Sequence, residues 1–216
     1  ALVLILEMPL WVAGRTNVSA GQAWFELTLI LPATLLAVRE FGAEGAAAAR
    51  AGVALLMVGN GLSSTLLGTR AGLIGFSPTV IGIVLSGYYV GFVVGSMTTP
   101  GAIERVGHVR VFAGLASLGS GALLIHLVTP DAVTWFALRA VSGLCIAGLY
   151  VVSETWLNGA ATNESRGTLL ATYMAVVGAG VFSGQMLYAA SDPAGVGAFV
   201  MASVLVSLAV VPVSLA

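Results

Sequence analysis

Long apolar segments separated by short polar breaks recur along most of this chain. From residue 51 onward, six segments have the roughly 17 to 25 residues that a helix needs to cross about 30 Å of hydrocarbon. The segments are continuous and do not alternate with period two, so they are helices rather than strands of a membrane barrel. The pattern predicts an all-α fold, a polytopic membrane helix bundle. The predicted helices cover residues 51–67, 78–97, 109–128, 133–157, 167–190 and 195–216.

The first 50 residues are harder to interpret than the rest. Residues 23–38 are apolar, but they contain Glu26 and Pro32 and are short for a membrane span. Three interpretations stay open: an extra membrane helix, an interfacial segment, or sequence from an upstream reading frame joined by a wrong start. The chain starts with Ala1 and stops inside an apolar run, so we expect a fragment. The predicted division is an N-terminal segment, 1–50, and a six-helix unit, 51–216.

Composition narrows the class of protein. The chain is 58% hydrophobic and 8% charged, with a mean hydropathy of +1.03, whereas soluble domains are about 25% charged. An integral membrane protein is therefore predicted. Arginines and acidic residues nearly balance, which leaves no basic field for a nucleic acid. The single cysteine, Cys145, falls inside a predicted helix and is assigned to packing, and the sequence indicates no cofactor or metal site.

The distribution of arginines predicts the orientation, because loop Arg and Lys accumulate on the cytoplasmic side. One set of predicted breaks holds Arg39, Arg50, Arg105, Arg110 and Arg166, whereas the alternate breaks hold Arg70, Asp131 and Asp192. We therefore expect a cytoplasmic N-terminus.

Arg139 is the most informative residue of the sequence, because residues 132–153 are otherwise uncharged. A charge at the centre of a membrane helix costs about 2.5 to 3.5 kcal/mol on insertion scales, so it persists mainly where it faces a polar interior. The alternative is a side chain that extends along the helix to the headgroups. The first predicted helix carries polar residues that are also costly to place against lipid; they are Asn60, Ser63, Ser64 and Thr65.

Glycines recur at helical spacing on two of the predicted helices. They are Gly87, Gly91 and Gly95 on the second helix and Gly180 and Gly184 on the fifth. Small residues at such spacing let membrane helices approach closely. We interpret them as packing positions without a chemical role.

The segment 100–110 packs an acid, bases and glycine into one short turn, and it resembles a motif of the major facilitator superfamily. In that family the loop between helices 2 and 3 carries a glycine, three residues, an aspartate, a basic residue, one residue, a glycine and further basic residues. Here Glu104 takes the aspartate position, Arg105, Gly107 and Arg110 match, and His108 replaces one basic residue.

A second likeness lies in the fourth predicted helix. The stretch Arg139-Ala140-Val141-Ser142-Gly143 resembles the family pattern of arginine, two residues, a polar residue and glycine. Residues 151–174 are similar to the YcaD-like branch of bacterial facilitators through Glu154, Arg166, Gly167 and Tyr173. The matches extend over residues 51–216, and they imply the N-terminal six-helix half of such a transporter.

The resemblance implies a secondary carrier of the bacterial inner membrane that moves a small molecule by alternating access, with protons as a second partner and the missing C-terminal half completing the cavity. A fixed cation can hold an anionic substrate group, or it can lower the pKa of a nearby carboxylate that binds protons. The first predicted helix offers no acidic residue for the second role. The predicted pathway residues are Arg139, Asn60, Ser63, Ser64, Tyr89 and Gln185, with Tyr88 and Tyr173 as weaker candidates.

Glu154 lies fifteen residues after Arg139, which is roughly 22 Å along a helix, so the two do not pair. Arg105 or Arg110 is the expected partner of Glu154, in a cytoplasmic charge cluster that releases when the halves rock apart. The alternative is an ordinary solvated charge at a helix end. The predicted gate consists of Glu104, Arg105, Gly107, Arg110 and Glu154.

Two rival classes of function were compared with the carrier. A membrane enzyme needs Asp, His or Lys clustered at one membrane face, and the sequence offers no such cluster, so catalysis is not predicted. A non-transporting receptor or assembly subunit would keep the bundle and the charged turn without coupled movement, and it stays open as the alternative function.

Overall fold

A computed structural model describes residues 44–214, and its side chains from residue 50 onward except that of Ala160. The candidate helix at 23–38 and most of the predicted N-terminal segment lie outside the described residues. In the described part, the chain forms seven helical segments without strands. They are α1 (Glu44–Leu73), α2 (Pro78–Val106), α3 (His108–Val128), α4 (Ala132–Ala160), α5 (Arg166–Ala189), α6 (Gly197–Leu208) and α7 (Val210–Ser214).

Six helices in this part of the chain are long and apolar enough to cross a membrane, which confirms the predicted all-α bundle. The last span, Gly197–Ser214, consists of α6 and α7 together. Its interruption at Ala209 lies three residues before Pro212, which has no N–H to donate to the preceding turn. The chain therefore crosses the bundle six times, with α1, α3 and α5 running one way and the other spans running back.

Local signals explain where two of the helices begin. Ser77 precedes α2, where its hydroxyl accepts a hydrogen bond from the Val80 N–H at 3.4 Å, and Pro78 occupies the first turn, where its missing N–H costs nothing. Asp131 precedes α4 and accepts from both the backbone N–H and the hydroxyl of Thr134, each at 2.8 Å. Such caps satisfy N–H groups that have no partner within the helix.

Two pairs of parallel helices pack with their backbones in close contact. In the first pair, an added Cβ at Gly87 would lie 2.6 Å from the Phe136 carbonyl oxygen, so α2 contacts the backbone of α4. In the second, an added Cβ at Gly180 would lie 2.6 Å from Met57 Cβ, so α5 contacts α1. Helices α3 and α6 pack between these pairs, against α4 and α1 respectively and against each other. The predicted packing role of the glycines is confirmed.

The helices extend further than the apolar runs suggested. Glu104 and Arg105 lie in the last turns of α2 rather than in a loop, Arg110 lies in the first turn of α3, and only Gly107 separates the two helices. Arg70 likewise lies in the last turn of α1. The physical reason is that apolarity reports where the hydrocarbon ends, whereas the helix continues through the headgroup region as long as its backbone bonds form.

Candidate substrate pathway around Arg139

Arg139 lies inside the bundle, two turns into α4. Only 6% of its surface is exposed, so the side chain is enclosed by neighbouring helices and does not extend along the surface toward the headgroups. Its guanidinium carbon lies 4.7 Å from the centroid of the Tyr88 ring of α2. A cation over an aromatic face at this distance is attracted by the ring quadrupole, by about 0.5 to 2 kcal/mol depending on desolvation.

A small cavity of about 20 Å³ adjoins Arg139 between α1, α3, α4 and α6. Its polar wall consists of Arg139 and Ser142 from α4 and Asn60 and Ser63 from α1, and the remaining wall is formed by Gly119, Leu123, Cys145, Ile146, Leu149 and Val206. A volume of this size holds about one group as large as a water molecule. The structure therefore brings the predicted residues Arg139, Asn60 and Ser63 to one enclosed space.

The hydroxyl groups of this wall are already engaged with their own helices. Ser63 Oγ donates to the Asn60 carbonyl at 3.0 Å, and Ser142 Oγ donates to the Leu138 carbonyl at 2.8 Å. Arg139 Nε, in contrast, is buried and has no hydrogen-bond partner. The cavity therefore combines an unsatisfied cationic donor with neutral polar atoms, and it has a net positive character.

Three other predicted pathway residues lie outside the cavity. Tyr89 is 71% exposed on α2, although its side chain interacts electrostatically with Arg139. Ser64 is exposed and donates to the Gly61 carbonyl at 3.0 Å, and Gln185 is exposed on α5. Successive positions of a helix are 100° apart, so Ser63 and Ser64 face different directions even though the sequence made them equal candidates.

Tyr88 proves to be the aromatic partner of Arg139, although the sequence ranked Tyr89 above it. Besides covering the guanidinium, Tyr88 interacts with the Asn60 side chain of α1. Tyr88 directly follows Gly87, which contacts α4. Its position next to a close helix crossing is the sequence feature that could have identified it as the partner of Arg139. Tyr88 thus connects α1, α2 and α4 around the cationic group.

His126 of α3 is a second enclosed group that the sequence analysis left without a role. It is 2% exposed, and its Nδ1 lies 2.7 Å from the Ala122 carbonyl oxygen, so that Nδ1 carries the donated proton. Its Nε2 has no partner, and its ring packs edge-on against Trp135 with the centroids 5.0 Å apart. Arg139 acts on it electrostatically.

A row of aromatic rings leads from Arg139 toward Glu154 along α2 and α4. The Tyr88 and Phe92 centroids are 6.0 Å apart, and those of Phe92 and Tyr150 are 6.3 Å apart. The Tyr150 hydroxyl donates to Met57 Sδ of α1 at 3.0 Å. Tyr88, Phe92 and Tyr150 are half-buried, so this ring row keeps one edge free of the described helices.

Glu154 lies beside tyrosines rather than beside an arginine. Its carboxylate interacts electrostatically with Tyr150 of its own helix and with the buried Tyr173 of α5. The expected ion pair with Arg105 or Arg110 is not formed, since both arginines are exposed and no such pair occurs among the described side chains. The same end of α4 is close to α3, because the His108 and Trp156 ring centroids are 6.5 Å apart.

Within residues 50–214, no three His, Cys, Asp or Glu side chains come together in a way that could hold a metal ion. Cys145 is 1% exposed and packs at the cavity edge.

The family model described as Major Facilitator Superfamily matches residues 49–215. The chain belongs to the Major Facilitator Superfamily. This match agrees with the six spans and confirms the predicted family. It also makes the chain a member of a family of transporters.

Curated relatives within this superfamily agree with the predicted YcaD-like branch. Proteins with the printed name "Uncharacterized MFS-type transporter YcaD" from Escherichia coli O45:K1 (strain S88 / ExPEC), Escherichia coli O81 (strain ED1a) and Escherichia coli (strain UTI89 / UPEC) are each 37% identical over 115 residues. The matched region covers 50% of this chain and 28% of each relative. No solved structure gives a significant match.

Proposed function

We propose that this chain forms the N-terminal half of a secondary active transporter, which moves a small molecule across a bacterial inner membrane by alternating access. The observation that carries the proposal is Arg139, a charged residue buried two turns inside a membrane span and beside a polar cavity. Such a residue is costly in a membrane protein and is retained mainly on a substrate or ion pathway. Membership of the Major Facilitator Superfamily supports the same function.

Alternating access requires two six-helix halves that rock against each other around a midplane site. In this chain, α2 with α4 and α1 with α5 form closely packed parallel pairs, which suits movement as a rigid body. A C-terminal half would supply the other wall of the pathway. Exposed polar residues such as Tyr89 and Gln185 are candidates to face that half.

Proton coupling is the second part of the proposal, and His126 is its candidate group. Among the described residues within the spans, it is the buried imidazole on which Arg139 acts. Its free Nε2 lone pair accepts a proton without breaking the Nδ1 hydrogen bond to Ala122. In this proposal an anion bound at Arg139 and a proton bound at His126 would offset each other's charge, and the two would move together.

The end of the bundle with Arg50, Arg105, Arg110 and Arg166 is proposed to be cytoplasmic, following the bias of loop arginines. We propose the gate at this end as well, formed by Glu104, Arg105, Gly107, Arg110 and Glu154. In that proposal Glu154 leaves its tyrosine neighbours and pairs with Arg105 or Arg110 in the other conformation. An exposed pair contributes only about 0 to 1 kcal/mol, which is sufficient to bias two states of similar free energy.

The test is uptake by the complete protein, expressed from its full reading frame and reconstituted into liposomes with and without an imposed pH gradient. Uptake of a screened solute that rises with the gradient and is lost in Arg139→Ala would support a proton-linked carrier. Arg70→Ala is the matched arginine control, because Arg70 lies in the last turn of α1 and does not line the cavity. Arg139→Ala with wild-type uptake would remove Arg139 from the pathway, and absence of any flux would favour the receptor or assembly alternative.

A further inference from the structure

The charge of Arg139 has no acidic counterpart within reach among the described side chains. No carboxylate between residues 50 and 214 pairs with it, its Nε has no hydrogen-bond partner, and its surface is 94% buried, the complement of its 6% exposure. A guanidinium group stays protonated in proteins. An enclosed charge is strongly destabilising unless an opposite charge and hydrogen bonds compensate it. This site therefore selects a negatively charged ligand.

The donors around the cavity favour a carboxylate. Arginine presents paired N–H groups in a planar fork that matches the two oxygens of a carboxylate. Asn60 of α1 lines the same cavity and interacts with Tyr88, which covers the guanidinium. Its amide can donate to the same oxygen atoms. One guanidinium supplies a single positive charge, so a monoanion is balanced here, whereas a doubly charged phosphate would keep one charge uncompensated.

The ring row gives the rest of the ligand a surface. It begins at Tyr88, in contact with Arg139, and continues through the half-buried rings of Phe92 and Tyr150. Aromatic side chains with a free edge bind apolar groups and other rings. These rings do not line the cavity itself, and Tyr88 is the ring that connects the row to Arg139. A ligand body on the row would therefore reach Arg139 past Tyr88.

We propose that the substrate is a monocarboxylate with an aromatic or otherwise apolar body, whose carboxylate binds Arg139 and Asn60 and whose body lies on Tyr88, Phe92 and Tyr150. This inference deepens the proposed transport function and rests on it, because the bound carboxylate is a substrate only if the protein is a transporter. Binding itself is testable without transport.

The experiment measures thermal unfolding of the complete purified protein in detergent, at fixed pH and ionic strength. The probes are sodium benzoate, acetate, phosphate and chloride, and the proteins are wild type, Arg139→Gln, Arg139→Lys and Arg70→Gln. Arg70 donates to the Ala194 carbonyl away from the cavity, so its variant controls for loss of an arginine. A ligand that binds only the folded state raises the unfolding temperature with its concentration.

Benzoate is expected to stabilise wild type and Arg70→Gln, and acetate to do so more weakly. In Arg139→Gln the apparent affinity should fall roughly tenfold or more, the loss expected from removing a charge-assisted hydrogen bond. Arg139→Lys keeps the positive charge but loses the paired N–H groups of the guanidinium, so it should bind benzoate with intermediate affinity. If Arg139→Gln does not fold, the affinity of Arg139→Lys tests the carboxylate site instead. Equal stabilisation of wild type and Arg139→Gln by benzoate, or stronger stabilisation by phosphate or chloride, would overturn the proposal.

The outcome separates this inference from the transport proposal. Benzoate binding that depends on Arg139, together with no flux in liposomes, would retain the carboxylate site and reject transport. Flux of a solute that neither benzoate nor Arg139→Gln changes would retain transport and reject the carboxylate site.

Discussion

The Tyr88 ring of α2 covers the guanidinium of Arg139 in α4, with 4.7 Å between the ring centroid and the guanidinium carbon. This contact joins the two helices at Arg139, the charged residue two turns into α4. We expect Tyr88→Phe to retain most of the attraction and Tyr88→Leu to lose it, at about 0.5 to 2 kcal/mol of stability. Thermal unfolding in detergent measures the difference, and Tyr89→Leu on the exposed neighbouring position is the control. Equal losses in the phenylalanine and leucine variants would assign the effect to the hydroxyl instead.

The crossing of α2 and α4 depends on glycine at its closest points. An added Cβ at Gly91 would overlap the Ala140 carbonyl, and one at Gly143 would overlap the Tyr88 carbonyl. Gly91→Ala should therefore lower the unfolding temperature and the yield of folded protein, because the backbones must separate.

Gly82 provides the matched control on the same helix, since an added Cβ there meets nothing within 4 Å. Gly82→Ala should be neutral or stabilising by up to about 1 kcal/mol, the helix propensity difference between the two residues. If both substitutions had the same effect, the close crossing of α2 and α4 would be wrong.

A buried hydroxyl cluster joins α3 to the last span. Ser120 Oγ lies 2.6 Å from Ser203 Oγ and accepts from Ser207 Oγ at 2.8 Å. Hydrogen bonds between membrane helices contribute about 0.6 kcal/mol on average, so Ser120→Ala should destabilise by roughly 0.6 to 2 kcal/mol because several bonds share this atom. Ser117→Ala, exposed on the same helix, should change nothing measurable. Unfolding in mixed detergent and denaturant compares the two variants.

Asp131 gives the start of α4 a pH dependence. Its pKa is lowered by the hydrogen bonds from the Thr134 backbone N–H and hydroxyl. A lowered pKa in the folded state means that the stabilisation is present above the unfolded value, about 3.9, and is lost as the pH falls through the folded value. Asp131→Asn keeps a capping side chain but cannot titrate.

The measurement is the unfolding temperature from pH 7 down to pH 3. Wild type should lose more stability over the acidic part of this range than Asp131→Asn does. Parallel curves for the two proteins would show that the cap does not titrate in this way.

The sequence was sufficient to predict the helix bundle, but it predicted only some of the residues around Arg139. Apolar runs gave six spans because span length is fixed by bilayer thickness, and the glycine spacing gave two helix crossings, at Gly91 with α4 and at Gly180 with α1. The helix ends were misplaced, since Glu104 and Arg105 continue α2 beyond its apolar part.

Site residues depended on rotation about each helix axis. Arg139 was identifiable because a charge in hydrocarbon is costly wherever it points. Tyr88 and Tyr89 are chemically equal in the sequence, and only the α2–α4 crossing decides that Tyr88 covers the arginine. His126 has no partner nearby along the chain that would have marked it, because its neighbours, Trp135 and Arg139, come from another helix.

Gly107 is the single residue between α2 and α3, and it has a φ of 86°, a conformation that glycine adopts without strain. A connector of one residue has no slack. Because one residue connects the helices, a tilt of α2 that displaces its last turn also displaces the first turn of α3. The two spans are therefore coupled at this end of the bundle as a hairpin whose bend is a single glycine.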